Sequence, residues 1–73
     1  MSLLEKTPAS LALGKKLREL RIETGLTQEK MGELFELSAA AWRHYELGIR
    51  IPNDRNKKRI AVYFNKTVDE LFF

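Results

Sequence analysis

The sequence predicts an all-α fold, a bundle of five short helices. Apolar residues recur at helical spacing in five stretches, and the stretches are bracketed by residues that start or stop helices. No run shows the two-residue alternation of a half-buried strand. With 73 residues the chain reads as one domain, 1–73, near the lower size limit for folding without a staple. Residues 1–6 precede the first helix signal and are expected to form a disordered N-terminal extension. No internal repeat, low-complexity tract or domain boundary interrupts the rest.

The first helix opens at Thr7-Pro8, a capping hydroxyl followed by a proline whose missing N–H costs nothing at the first helical position. Leu13, Leu17 and Leu20 then fall on one face, and Gly25 closes the helix, expected in the left-handed conformation. Thr27 caps a second helix from Gln28 to Phe35, with Met31, Leu34 and Phe35 as its apolar positions. Ser38 offers another cap only three residues on, before Ala39 to Leu47 and a Gly48 stop. Gly48 to Pro52 reads as a loop, because a residue before proline is pushed out of helical geometry. Asn53 can cap a fourth helix with Ile60, Ala61 and Phe64 on its buried face. Thr67 to Glu70 fits the capping-box pattern and opens a last short helix through Leu71, Phe72 and Phe73.

The second and third helices are too short to be stable alone, so they must share a core. Met31, Phe35, Leu37, Trp42 and Tyr45 supply apolar positions for it, and Gly32 is the small residue where the helices cross. Glu36 occupies the corner, where a left-handed backbone favours glycine at a difference of about 1 kcal/mol. That arrangement is a helix-turn-helix, and it makes double-stranded DNA the leading candidate partner.

Composition bounds the alternatives. There is no cysteine, which excludes disulfides and thiolate metal sites and agrees with a cytoplasmic location. One histidine without a His/Cys/Asp cluster argues against zinc, and no cofactor is implied. No apolar run is long enough to span a membrane, and no signal-peptide pattern opens the chain. With no glycine-rich phosphate loop and its acids scattered, the chain carries no recognisable catalytic constellation. The net charge of +3 is divided unevenly: +2 in residues 1–26, −2 in 27–48 and +3 in 49–73. Attraction to phosphate must therefore come mainly from the flanks.

The stretch GKKLRELRIETGLTQEKMGELFELSAAAWRHYELGIRIPN, followed by RIAVYF and VDELF, resembles the Cro/cI-type (XRE-type) helix-turn-helix domain of phage and bacterial repressors. The resemblance covers residues 13–72 and rests on linked motifs: LRELR before GLTQ, Tyr45-Glu46 ahead of Gly48, the proline loop, and the closing VDELF. It implies a lambda-repressor-like five-helix bundle whose third helix lies in the major groove, a small repressor without a small-molecule effector domain, and a homodimer on a palindromic operator. Carried over by position, it makes Gln28 a phosphate contact or a support for a base-contacting side chain. Ser38, Ala39, Ala40, Arg43 and His44 would face the groove. Arg50, Asn53 and the backbone N–H groups opening the fourth helix would hold phosphate. Arg21 and Glu46 match a salt-bridged pair joining the first and third helices.

The chain also departs from that pattern. Ala39 and Ala40 stand where relatives carry polar readers, and alanine offers only a methyl contact, for instance to thymine. Readout then falls on Arg43 and His44, with Gln28 assisting. Trp42 replaces an aliphatic residue, so either the core is remodelled around it or the indole is partly exposed. Lys57 and Lys66 replace apolar residues; their aliphatic stems can snorkel, but the C-terminal core is thinner than typical. The basic cluster Arg55, Lys57, Lys58 and Arg59, like Lys15, Lys16 and Arg18, is read either as phosphate-attracting or as a solvated face. Phe72 either plugs the core or, with Phe73, makes a dimer contact. The competing functional reading is a protein-interaction module on the same fold, an antitoxin or adaptor with weak or no DNA reading, motivated by Ala39-Ala40 and the acidic centre.

Overall fold

The computed structural model of the chain describes residues 7–72; the expected N-terminal extension at 1–6 and the terminal Phe73 lie outside them. Five helices make up the fold: α1 (Pro8–Thr24), α2 (Gln28–Phe35), α3 (Ala39–Leu47), α4 (Asp54–Tyr63) and α5 (Val68–Phe72). No strand occurs among the described residues. The all-α expectation is met.

Local chemistry sets most of the boundaries. Thr7, Thr27, Ser38 and Asn53 each accept a backbone N–H three residues on, satisfying one of the donors that a helix start leaves free. At α1 the box is closed by Ser10, whose hydroxyl oxygen accepts the Thr7 N–H. At α5 Glu70 does the same for Thr67, and the backbone and hydroxyl of Thr67 hold the Glu70 carboxyl below its ordinary value. Gly25 and Gly48 end α1 and α3 in the left-handed conformation. Glu36 does so at the α2–α3 corner, with φ of 59°, as the turn requires. Phe64 ends α4 as its C-cap rather than extending the helix, and it is half-buried there.

The core lies between α1, α2 and α3 and is closed from below by α4 and α5. Leu17, Met31, Phe35, Trp42, Tyr45, Ile60, Ala61 and Leu71 are buried in one cluster. Trp42 is fully enclosed, stacked on Phe35 at 5.8 Å and edge-on to Tyr45 at 5.7 Å. The core is thus remodelled around the indole, and the alternative of a partly exposed ring does not hold. Phe72 packs against the same cluster, with the Lys57 ammonium over its ring at 5.7 Å. It plugs the core, and Lys57 snorkels across it as expected.

Two close approaches fix how α3 is held. A Cβ on Gly32 would lie 2.5 Å from the Leu37 carbonyl oxygen, which is the crossing expected at that residue. A Cβ on Gly14 would collide with the Glu46 carbonyl oxygen and lie 2.6 Å from that of Tyr45. The α1 backbone therefore rests directly on α3 at Gly14.

Candidate nucleic-acid interface

The starts of α2 and α3 meet at a shallow groove lined by Gln28, Glu29, Ala39, Ala40 and Arg43. Four of the predicted DNA-binding residues are thus brought together. The fifth lining residue, Glu29, is an acid that sequence reasoning did not place there. Along α3 the outward face runs through Ala40, Arg43 and Leu47, all exposed, with Ala39 and His44 half-buried on its flanks. Helical spacing produces this face, since Trp42, Tyr45 and Glu46 point to the opposite side and are buried.

Arg43 is exposed, with its charge available to a partner. Ser38 and Asn53 are exposed as well, but their side-chain oxygens serve first as helix caps, accepting the N–H of Ala41 and Asn56. Arg50 and Asn53 line a second depression with Tyr45 and Ile51, apart from the first. Six of the eight predicted DNA-binding residues therefore line two separate patches, one at the α2–α3 groove and one in the loop before α4, and Ser38 and His44 line neither. At the start of α4, Asp54 sits in the first turn, where an acid opposes phosphate and favours the helix itself.

Beneath the groove lies a buried carboxylate, Glu46. Arg21 grips it with Nε to Oε2 at 2.6 Å and a second nitrogen to Oε1 at 3.2 Å. Gln28 Nε2 donates to Oε1 at 3.1 Å, and the Trp42 indole N–H donates to Oε2. Arg21 spends another N–H on the Leu26 carbonyl at 3.0 Å, tying α1 to the α1–α2 turn. Burial alone would raise the Glu46 carboxyl. The hydrogen bonds from Arg21, Gln28 and Trp42, with the charge of Arg21, outweigh burial and hold it below its ordinary value.

The Arg21–Glu46 pair is the one expected from sequence, but its two further donors were not foreseen. Trp42 and Glu46 are four apart on one helix, so that bond was legible in their spacing. Gln28 reaches Glu46 only through the tertiary fold.

Several of the basic residues prove to be engaged within the chain. Lys16 donates to the carbonyls of Glu70 and Leu71 at 3.0 and 3.5 Å, anchoring α5 on α1. Arg59 pairs with Glu36 at 3.4 Å and lies over the Phe35 ring. Lys57 is close to Asp54 and largely buried. Arg55 and Lys58 remain exposed.

No helix among the described residues is long and apolar enough to cross a membrane. Residues 12–71 match the family model described as "Helix-turn-helix domain". The chain is also 36% identical over 61 residues to a protein of Enterococcus faecalis named "HTH-type transcriptional activator BcrR". That match takes in 84% of this chain but 30% of the relative, so the chain spans less than a third of that protein's length. No solved structure matches the chain significantly.

Proposed function

The chain belongs to the helix-turn-helix domain family, of the Cro/cI type, and on that premise we propose that it binds double-stranded DNA sequence-specifically as a transcriptional regulator. The observation that carries this reading is the convergence of Gln28, Ala39, Ala40 and Arg43 on one groove at the N-terminal ends of α2 and α3. A major groove about 12 Å wide admits a helix, and small residues at its head let the backbone come close. Arg43 is the side chain best placed to donate to a guanine edge, with His44 beside it. Arg50 and Asn53 line the second patch, where they and the backbone N–H groups opening α4 would meet phosphate.

Two copies on a palindromic operator, with half-sites about 34 Å apart, complete the proposal. The similar protein is named an activator and the motif resemblance is to repressors. A reporter driven by the bound promoter reads which sign this chain has. Fluorescence anisotropy against a selected site, compared with a scrambled duplex, tests the binding. Arg43→Ala is expected to weaken the specific complex about 10- to 100-fold and the scrambled one far less. Equal affinity for both duplexes, untouched by that substitution, would sink the reading.

One observation favours the protein-interaction module. Leu34, Phe35, Val62 and Tyr63 line an apolar depression on α2 and α4 that shares no residue with the groove, and Val62 is 79% exposed. Val62→Glu that abolished regulation in cells while leaving DNA affinity intact would assign function to that face.

A further inference from the structure

Among the predicted contacts, Gln28 is the one whose side chain is held by a buried carboxylate, a group of fixed hydrogen-bond polarity. Its partner is Glu46 Oε1, an atom of an ionised carboxylate, which accepts hydrogen bonds and cannot donate them. The Gln28 amide must therefore turn its nitrogen toward Glu46. The carbonyl oxygen, on the other arm of the same planar group, is directed away from it. The carboxylate cannot swing round to release the amide, because Arg21 and Trp42 hold Oε2 while Arg21 also holds Oε1. Donation to an anion also polarises the amide and makes its oxygen a better acceptor. That side chain lines the groove beside Ala39, Ala40 and Arg43.

We propose, resting on the reading that this groove binds duplex DNA, that Gln28 is a specificity residue offering its carbonyl oxygen to an exocyclic amino group of a base. Glu46 is the positioning residue that sets this polarity. In the major groove the amino groups are adenine N6 and cytosine N4, whereas guanine and thymine present keto oxygens. The preference is therefore for an amino base, A or C, over a keto base, G or T, on the contacted strand at one position. A carbonyl oxygen turned toward a phosphate oxygen would repel it, so this use of the oxygen is distinct from the phosphate contact that the family resemblance allows for Gln28, which would need the second amide N–H. Arg43 in the same groove offers only donors and selects the opposite pattern, the guanine O6/N7 pair. Together the two residues set a guanidinium's donors and an amide's acceptor on one groove.

The test is selection of binding sites from a random duplex library with the whole chain, unaltered and as Gln28→Met. Methionine keeps the length and helix preference of the side chain and removes both polar atoms; circular dichroism verifies the fold. The unaltered chain is expected to enrich an amino base about fivefold over a keto base at one position. Gln28→Met flattens that position and leaves the Arg43-dependent one standing. Glu46→Gln, which can offer Gln28 a donor or an acceptor, lets the amide turn over and flattens the same position. Should that variant not fold, Gln28→Met decides alone. A Gln28→Met chain that binds all sequences more weakly by the same factor identifies a phosphate contact and overturns the proposal, as does an unchanged preference. An unaltered chain that enriches no sequence overturns the DNA reading itself, and the two failures are thereby told apart.

Discussion

Glu46 is 8% exposed and carries a charge, a combination that is tolerated only because every lone pair has a donor. The three donors come from three different helices: Arg21 on α1, Gln28 on α2 and Trp42 on α3 itself. Removing one partner leaves the carboxylate buried and under-compensated. Arg21→Ala is expected to destabilise the fold by about 3 kcal/mol, measured by urea denaturation at neutral pH. Arg21→Ala in a Glu46→Leu background should cost much less, because the orphaned charge is then absent. The same residue sets an acid limit. Its carboxyl lies below the ordinary 4.5 in the folded chain, so its contribution is fully present above that pH. The contribution is lost as the pH falls through the lowered folded value. Thermal melts between about pH 7 and pH 2.5 should therefore show a loss of stability below about 4.5 that Glu46→Gln reduces. The pair itself was legible from the motif positions of Arg21 and Glu46. The role of Gln28 was not, because nothing local links a residue at the head of one helix to a carboxylate eighteen positions on.

At the scale of the elements, the helix boundaries were nearly all readable, because caps are made three residues from where they start. Thr7, Thr27, Ser38, Asn53 and Thr67 each declare themselves by residue type and by the helical spacing that begins just after them. Close approach between helices is a different matter. Gly32 could be assigned from its place in the helix pair, whereas Gly14 in the middle of α1 carries no local sign of its neighbour across the interface. Both would drive a Cβ into backbone atoms. Gly14→Ala is expected to destabilise by about 1–3 kcal/mol despite alanine's better helix propensity, because α1 must lift off the α3 carbonyls. A melting temperature raised by Gly14→Ala would contradict that packing. The corner offers the converse change. Glu36 bears a left-handed backbone at φ of 59° and gains only an exposed ion pair with Arg59. Glu36→Gly should raise stability by about 0.5–1 kcal/mol in the same denaturation assay.

For the whole molecule, the charge count overstates what a phosphate backbone would meet. Lys16, Arg21, Lys57 and Arg59 are all spent on carbonyls, carboxylates or rings inside the fold. The acidic centre seen in the sequence persists in three dimensions as Glu29 on the groove itself. Electrostatic affinity should therefore be modest and carried by a few groups, Arg43, Arg50, Arg55 and Lys58 among them. Measured as log affinity against log salt concentration, Arg50→Ala should reduce the slope by about 0.9 without changing which sequence is preferred. Arg43→Ala should change the preference. The overall charge of each segment was legible from the sequence, but which cations remain free depends on tertiary partners that no periodicity reveals.

The enclosed indole has a practical consequence. Trp42 is the sole tryptophan of the chain, so all indole emission comes from one ring with no exposure to solvent and one N–H resting on Glu46. Its fluorescence in the folded state should be blue-shifted and should move to the red in a single step as the core opens. Because the same carboxylate touches Gln28, the emission also stands one hydrogen bond from the groove. An unlabelled sample can thus report both unfolding and any occupant that pulls on that amide.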